Sequence, residues 1–301
     1  MRGRAVGARI AILLAASEGF SMSVFAFRQV DVFTEMPLKG NPLAVVLSAE
    51  GLDDAAMAAL ANWTNLSETT FLLPPTDPAA DYRVRIFTPQ RELPFAGHPT
   101  LGSCHVWLAA GGVPRGPEVV QQCVSGLVRI RSDGPRLAFA APPLVRSGAV
   151  EPGLLSRLAR GLGVSEAAIL GSSWVDNGPG WVAVRLASRA AVLGLTLDLT
   201  PLDGIKLGVV GPWDAATDGE AAQFEVRGFV CGKGGYEDPV TGSLNASLAQ
   251  WLIGTGIAPS RYVASQGTAL GRSGRVHVTR SGDDIWIGGG VVTAIEGTLS
   301  L

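Results

Sequence analysis

The chain reads as an α+β fold of two similar halves, each a mixed, mostly antiparallel sheet wrapped around one central apolar helix, and three observations predict it. Two glycine-rich loops, Gly97-His98-Pro99-Thr100 and Glu237-Asp238-Pro239-Val240-Thr241-Gly242-Ser243, each run directly into a nearly all-apolar segment. Their surroundings keep register: Gly97 to Pro114 and Gly242 to Pro259 both span 17 positions (114 − 97 and 259 − 242), with Trp107 or Trp251 inside. The flanking segments also echo one another. Arg85-Ile86-Phe87 parallels Arg227-Gly228-Phe229, and Gly126-Leu127-Val128-Arg129-Ile130 parallels Gly274-Arg275-Val276-His277-Val278. No G-x-G-x-x-G opens the chain after its first strand, so a dinucleotide-binding βαβ reading fits poorly.

The elements follow in order. Apolar residues predict a strand over 25–33, a Gly40-Asn41-Pro42 turn and a strand over 43–47. Asp53 or Asp54 caps a helix ending near Trp63, with Met57, Leu60 and Ala61 at helical spacing. A strand over 69–73 stops at Pro74-Pro75, and 81–87 alternates Tyr82, Val84 and Ile86 with Arg83 and Arg85. The first central helix covers 99–110, with Pro99 at its first position; strands over 119–123, 127–130 and 137–140 follow, and Pro142-Pro143 marks a boundary. Beyond it the plan repeats: a helix over 153–161, strands from 169, over 181–186 and over 224–230, and the second central helix over 244–253. Strands over 262–265, 274–278 and 285–287 complete it. The expected domains are therefore 22–142 and 143–289.

Composition narrows the function. A chain of 301 residues is long enough for one core to divide into two, and 47% hydrophobic against 17% charged residues makes it globular. The 24 basic and 26 acidic side chains give a net charge of −2 with no basic cluster, which excludes a nucleic-acid backbone as partner. Three cysteines and three histidines offer no metal-ligand spacing, so no metal is expected. No run is long enough to span a membrane. Residues 1–9 are basic and 10–16 apolar, a superficial likeness to a signal peptide, but the apolar run is short and Met22 stands directly before the first convincing strand. Residues 1–21 are expected to be an extension outside the fold, and the location cytoplasmic.

Five residues could carry chemistry. Glu68 enters an apolar strand, where desolvation would raise its pKa toward that of a general base; a solvated turn residue is the plainer alternative. His98 lies at a helix entrance, aimed at a bound anion or simply closing the turn. Asp238 could accept from a ligand hydroxyl or amine. Gly242 and Ser243 could bind a carboxylate at the helix N-terminus; an acidic turn with a serine cap is the bland reading. The symmetry favours function, since Ser243 follows His98, and Gly242 follows Gly97, by 145 positions (243 − 98 and 242 − 97). Cys104 and Cys231 could serve a two-cysteine racemase, but they are not symmetry-related and fit core packing better.

Taken together, Ser67-Glu68-Thr69-Thr70-Phe71, Arg85-Ile86-Phe87-Thr88-Pro89, the run Glu92 to Thr100 and the loop Glu237 to Ser243 resemble the signature of the PhzF family of phenazine-biosynthesis-like isomerases. Gln266-Gly267, Gly271-Arg272-Ser273 and Gly288-Gly289-Gly290 resemble its C-terminal motifs, so the likeness runs from about Phe25 to the end. The resemblance implies a diaminopimelate-epimerase-like fold with the active site between two domains, and 290–301 returning to the first. It implies Glu68 as the proton-moving catalytic residue and His98, Asp238 and Ser243 as substrate-holding residues. The expected function is a cofactor-independent isomerase shifting a proton between carbons of a small carboxylic acid, in a protein for which a homodimer is also expected. A metabolite-binding protein on the same fold is the alternative. The loop Cys231 to Tyr236 departs from the commoner family pattern and leaves the substrate open.

Overall fold

A computed structural model describes residues 23–198, 200–232 and 234–301. The expected extension at 1–21 lies outside the described residues.

Local chemistry sets the outer helices. Asp53 caps Asp54–Thr64 by accepting from the Ala56 amide at 2.8 Å, and Asn65 closes it in the left-handed region. Its buried Met57, Leu60 and Ala61 share one apolar cluster with Phe71 and Phe87. Pro152–Leu162 has the same place in the second half, with Leu158 and Leu162 clustered with Val182, Val184 and Val209.

Strand order is the same in both halves. Asn41–Val46 pairs parallel with Glu68–Leu73, which pairs antiparallel with Tyr82–Phe87. That strand runs parallel to Val119–Cys123, and antiparallel Gly126–Asp133 and Arg136–Ala140 follow. In the second half Trp181–Arg185 pairs parallel with Lys206–Pro212, and then antiparallel Phe224–Val230 runs parallel to Arg261–Gln266. Antiparallel Gly274–Ser281 and Asp284–Gly289 follow. The halves join where Arg136–Ala140 and Asp284–Gly289 pair antiparallel, with Phe139 opposite Ile287. The closing strand, Val291–Ser300, lies antiparallel to Val24–Val32.

The two central helices, Gly97–Ala109 and Gly242–Gly254, are apolar nearly all round because the sheets enclose them. Leu101, Cys104 and Val106 of one share a single core with Leu244, Leu248 and Leu252 of the other. Each such leucine contributes roughly 1.5–3 kcal/mol by leaving water. The helices meet at their first residues. A Cβ on Gly97 would stand 2.8 Å from the Gly242 Cα, and one on Gly242 2.8 Å from the Gly97 Cα. Only glycine at both positions lets the two backbones approach so closely.

Two expectations need correction. The first central helix starts at Gly97 with Ala96 as its cap, so Pro99 is the third helical residue and not the first. The first four helical N–H groups have no intrahelical partner, so proline there forfeits no hydrogen bond. Ser243 is likewise not a cap: Thr241 is, and Ser243 is the second helical residue. No helix among the described residues is long and apolar enough to cross a membrane.

Candidate active site

Glu68 is the first residue of its strand, and its side chain is only 15% exposed. Burial and then the negative charge of Asp238 push its pKa up to about 8, with Lys206 pulling the other way. Its Oε2 lies 3.2 Å from Nε2 of His98, but the angle is not that of a hydrogen bond, and neither atom has another partner. Burial pushes the His98 imidazole down to about 3. At neutral pH both groups are therefore mostly uncharged, and their contact is not an ion pair.

The Asn41 amide donates its two hydrogens to Oδ1 of Asp238 and to the Val240 carbonyl, both at 2.9 Å, so one side chain ties the halves together at the site, and Nδ1 of His98 lies 3.3 Å from the same nitrogen. Oδ2 of Asp238 accepts from the Thr241 hydroxyl at 2.6 Å, and Gln266 donates to the Asp238 carbonyl and to Thr241. Burial raises Asp238 to about 6, against the lowering effect of the Thr241 and Asn41 hydrogen bonds. Two neighbouring carboxyls thus have affinities for protons pushed apart, one mostly ionised at pH 7 and one mostly not.

Ser243 stands at the second position of its helix, as His98 does in the other. Its hydroxyl oxygen accepts from the Trp181 indole at 3.0 Å, which leaves its own O–H to donate. A cleft of about 670 Å³ opens between the halves, lined by Glu68, Ala96, Trp181, Asp238, Thr241 and Ser243 among others. Of the residues singled out in the sequence, Glu68, Asp238 and Ser243 face this cleft. His98 stands behind Glu68, and Gly242 lies in the helix-to-helix contact.

Two residues escaped the sequence reading. Asn41 reads in the sequence only as part of a turn, and its partners lie 57 or more positions away. Lys206 lines the cleft from the start of a strand whose glycines and proline hid it. All three cysteines are buried and free, and burial pushes the Cys104 thiol up to about 12 and that of Cys231 up to about 11. None lines the cleft, so no thiolate is at hand for two-cysteine chemistry.

Residues 30–297 match the family model PhzC-PhzF, described as phenazine biosynthesis-like protein. The chain is 33% identical to antisense-enhancing sequence 1 of Schizosaccharomyces pombe, covering 92% of this chain and 99% of that one. It is 30% identical to trans-2,3-dihydro-3-hydroxyanthranilate isomerase of Pseudomonas chlororaphis, over 90% and 98% of the two. The crystal structure of a phenazine biosynthesis protein of the PhzF family from Enterococcus faecalis superposes with a TM-score of 0.76 at 24% identity, covering 93% and 100%.

Proposed function

The chain belongs to the PhzC-PhzF family and is an isomerase, and from that premise we propose that Glu68 shuttles a proton between two carbons of a small carboxylic acid held in the cleft. As carboxylate, Glu68 removes a proton from an activated C–H. As carboxylic acid, it returns that proton to another carbon on the same face. A carboxyl with its affinity for protons raised to about 8 is a stronger base than an ordinary glutamate, at the expense of a smaller ionised fraction at pH 7. His98, with Nε2 beside the Glu68 carboxyl, packs behind it and limits its orientation. The amides at the starts of the two central helices, with the Ser243 hydroxyl, bind the substrate carboxylate and the enolate-like charge of the transition state. Asp238 receives a substrate hydroxyl or amine, and its charge keeps the pKa of Glu68 high. The observation that carries this reading is the buried Glu68 carboxyl at the cleft wall beside the paired helix starts.

The substrate named for the Pseudomonas chlororaphis relative is a small cyclic acid with an amino and a hydroxyl substituent, and it enters the test as one candidate. Small cyclic and amino-acid-like carboxylates are incubated with the enzyme in D₂O and read for deuterium at carbon by NMR. Glu68→Gln is expected to lose essentially all wash-in while keeping its fold by circular dichroism. Full exchange by the folded variant rejects the role. We further take 22–142 with 290–301, and 143–289, as the two domains, and the enzyme as a cytoplasmic homodimer; light scattering of the purified protein tests the dimer.

A further inference from the structure

The register of the two halves assigns a counterpart to Glu68. Leu43 pairs with Glu68 in the first half, and Trp181 pairs with Lys206 in the second. Both residues of the second pair follow their first-half equivalents by 138 positions (181 − 43 and 206 − 68). Glu68 and Lys206 each open the strand that pairs parallel with that of Leu43 or Trp181, and each lines the cleft. The same backbone position that carries an acid on one side of the cleft therefore carries a base on the other.

The neighbours of Lys206 place it further. In the sheet it lies between Trp181 and Val230, both of which also line the cleft. Side chains directly opposite in adjacent strands share a face, with Cβ atoms about 5 Å apart. Trp181 in turn donates to the Ser243 hydroxyl, so Lys206 is one side chain removed from the start of the second central helix. Three carboxyl groups, those of Glu68, Asp176 and Asp238, act on it from a distance, and the last two are engaged elsewhere. Asp238 accepts from Asn41 and Thr241, and Asp176 accepts from the amides of Gly178 and Gly180. Among the described residues no carboxylate lies within ion-pair distance of Lys206. Burial and the charge of Arg91 push its pKa down, against the raising effect of Glu68, Asp176 and Asp238, and a bound anion would supply the direct partner that the side chain lacks.

We propose that Lys206 is the substrate's carboxylate anchor: the acid group binds on the second half, between Lys206 and Ser243, which turns the reacting C–H toward Glu68. The enzyme then selects acids over neutral amides or esters of the same shape. The inference rests on the reading of the cleft as the active site, and it goes beyond that reading in stating which half holds the charge.

The test is binding, which does not depend on turnover. 2-Aminobenzoate and its uncharged isostere 2-aminobenzamide serve as probes, titrated by calorimetry with ligand-observed NMR for weak binding. The wild type is expected to favour the acid at least about ten-fold, the value of one charge-assisted hydrogen bond. Lys206→Met is expected to erase that preference while leaving amide binding unchanged, which also shows that the cleft has kept its shape. Lys206→Arg should retain most of it. Glu68→Gln should keep the preference although it exchanges no deuterium, so failure of the proton-shuttle reading and failure of the anchor give different results. A wild type that binds neither probe or does not discriminate between them, or a Lys206→Met protein with its preference intact, overturns the proposal.

Discussion

The two halves share their supports and differ at the cleft. Arg85 makes a two-pronged pair with Glu92 and lies over Phe87; Arg227 makes the same pair with Glu237 and lies over Phe229, with both guanidinium carbons 5.0 Å from the ring centre. Each pair fixes the segment that leads into a central helix. Where side chains face the cleft the likeness stops. Lys206 holds the strand position that Glu68 has in the first half, and Ser243 lines the cleft from the helix position that His98, behind Glu68, has in the other. The lesson is that duplication supplies a frame in which two helix starts meet, and the chemistry resides in the few positions where the copies have diverged.

One substitution breaks the frame at its closest point. Gly97→Ala puts a methyl against the Gly242 backbone and the Phe139 ring, both under 3.0 Å, and neither can yield freely. Urea denaturation should show a loss of about 1–3 kcal/mol, with wash-in activity falling by more than the folded fraction does. Retained stability and activity together would show that the halves do not need this contact.

A second effect sharpens the contrast between the two arginine pairs. Arg227 and Glu237 are 7% and 9% exposed, whereas Arg85 and Glu92 are 21% and 28% exposed. Arg227→Met leaves a buried carboxylate without its partner and should cost about 3–5 kcal/mol. Arg85→Met should cost about 1 kcal/mol or less, because water screens the carboxylate left behind. Equal losses would contradict the difference in burial.

Glu68 also bears on stability, with a definite sign. Its pKa in the folded protein is about 8 against 4.5 for an ordinary glutamate, so the folded state resists its ionisation. Wild-type stability should therefore fall as pH rises from about 4.5 to 8 relative to Glu68→Gln, the gap reaching at most about 5 kcal/mol. Denaturation of both proteins across that range checks it, and parallel curves would refute it.

Much of this arrangement was legible in the chain. The paired 17-residue spacings and the Arg85 and Arg227 echoes mark the duplicated frame, because turn residues and apolar periods are local signals. The fold class follows from them, and the family from the resemblance of the motifs around Glu68, His98 and Asp238 to its signature. The strand Lys206–Pro212 was not legible, since Gly208, Gly211 and Pro212 read as breakers. Its glycines answer to packing from afar: a Cβ on Gly208 would meet Leu244 of the second central helix at 2.4 Å. The contacts of Asn41 with His98 and Asp238 were equally hidden, because only the assembled sheets bring those side chains together.

The smallest effect expected is on the shape of a pH profile. Asp238→Asn removes the negative charge that helps to raise Glu68, so the midpoint should move down, by about half a unit to one unit. The profile of the wild type is itself the most direct test of the central claim. The rate of deuterium wash-in at limiting substrate should rise with pH and level off above about 8, as the Glu68 carboxylate becomes populated. A rate already level from pH 5 upward, or one that falls across this range, would contradict Glu68 as the base that takes the proton.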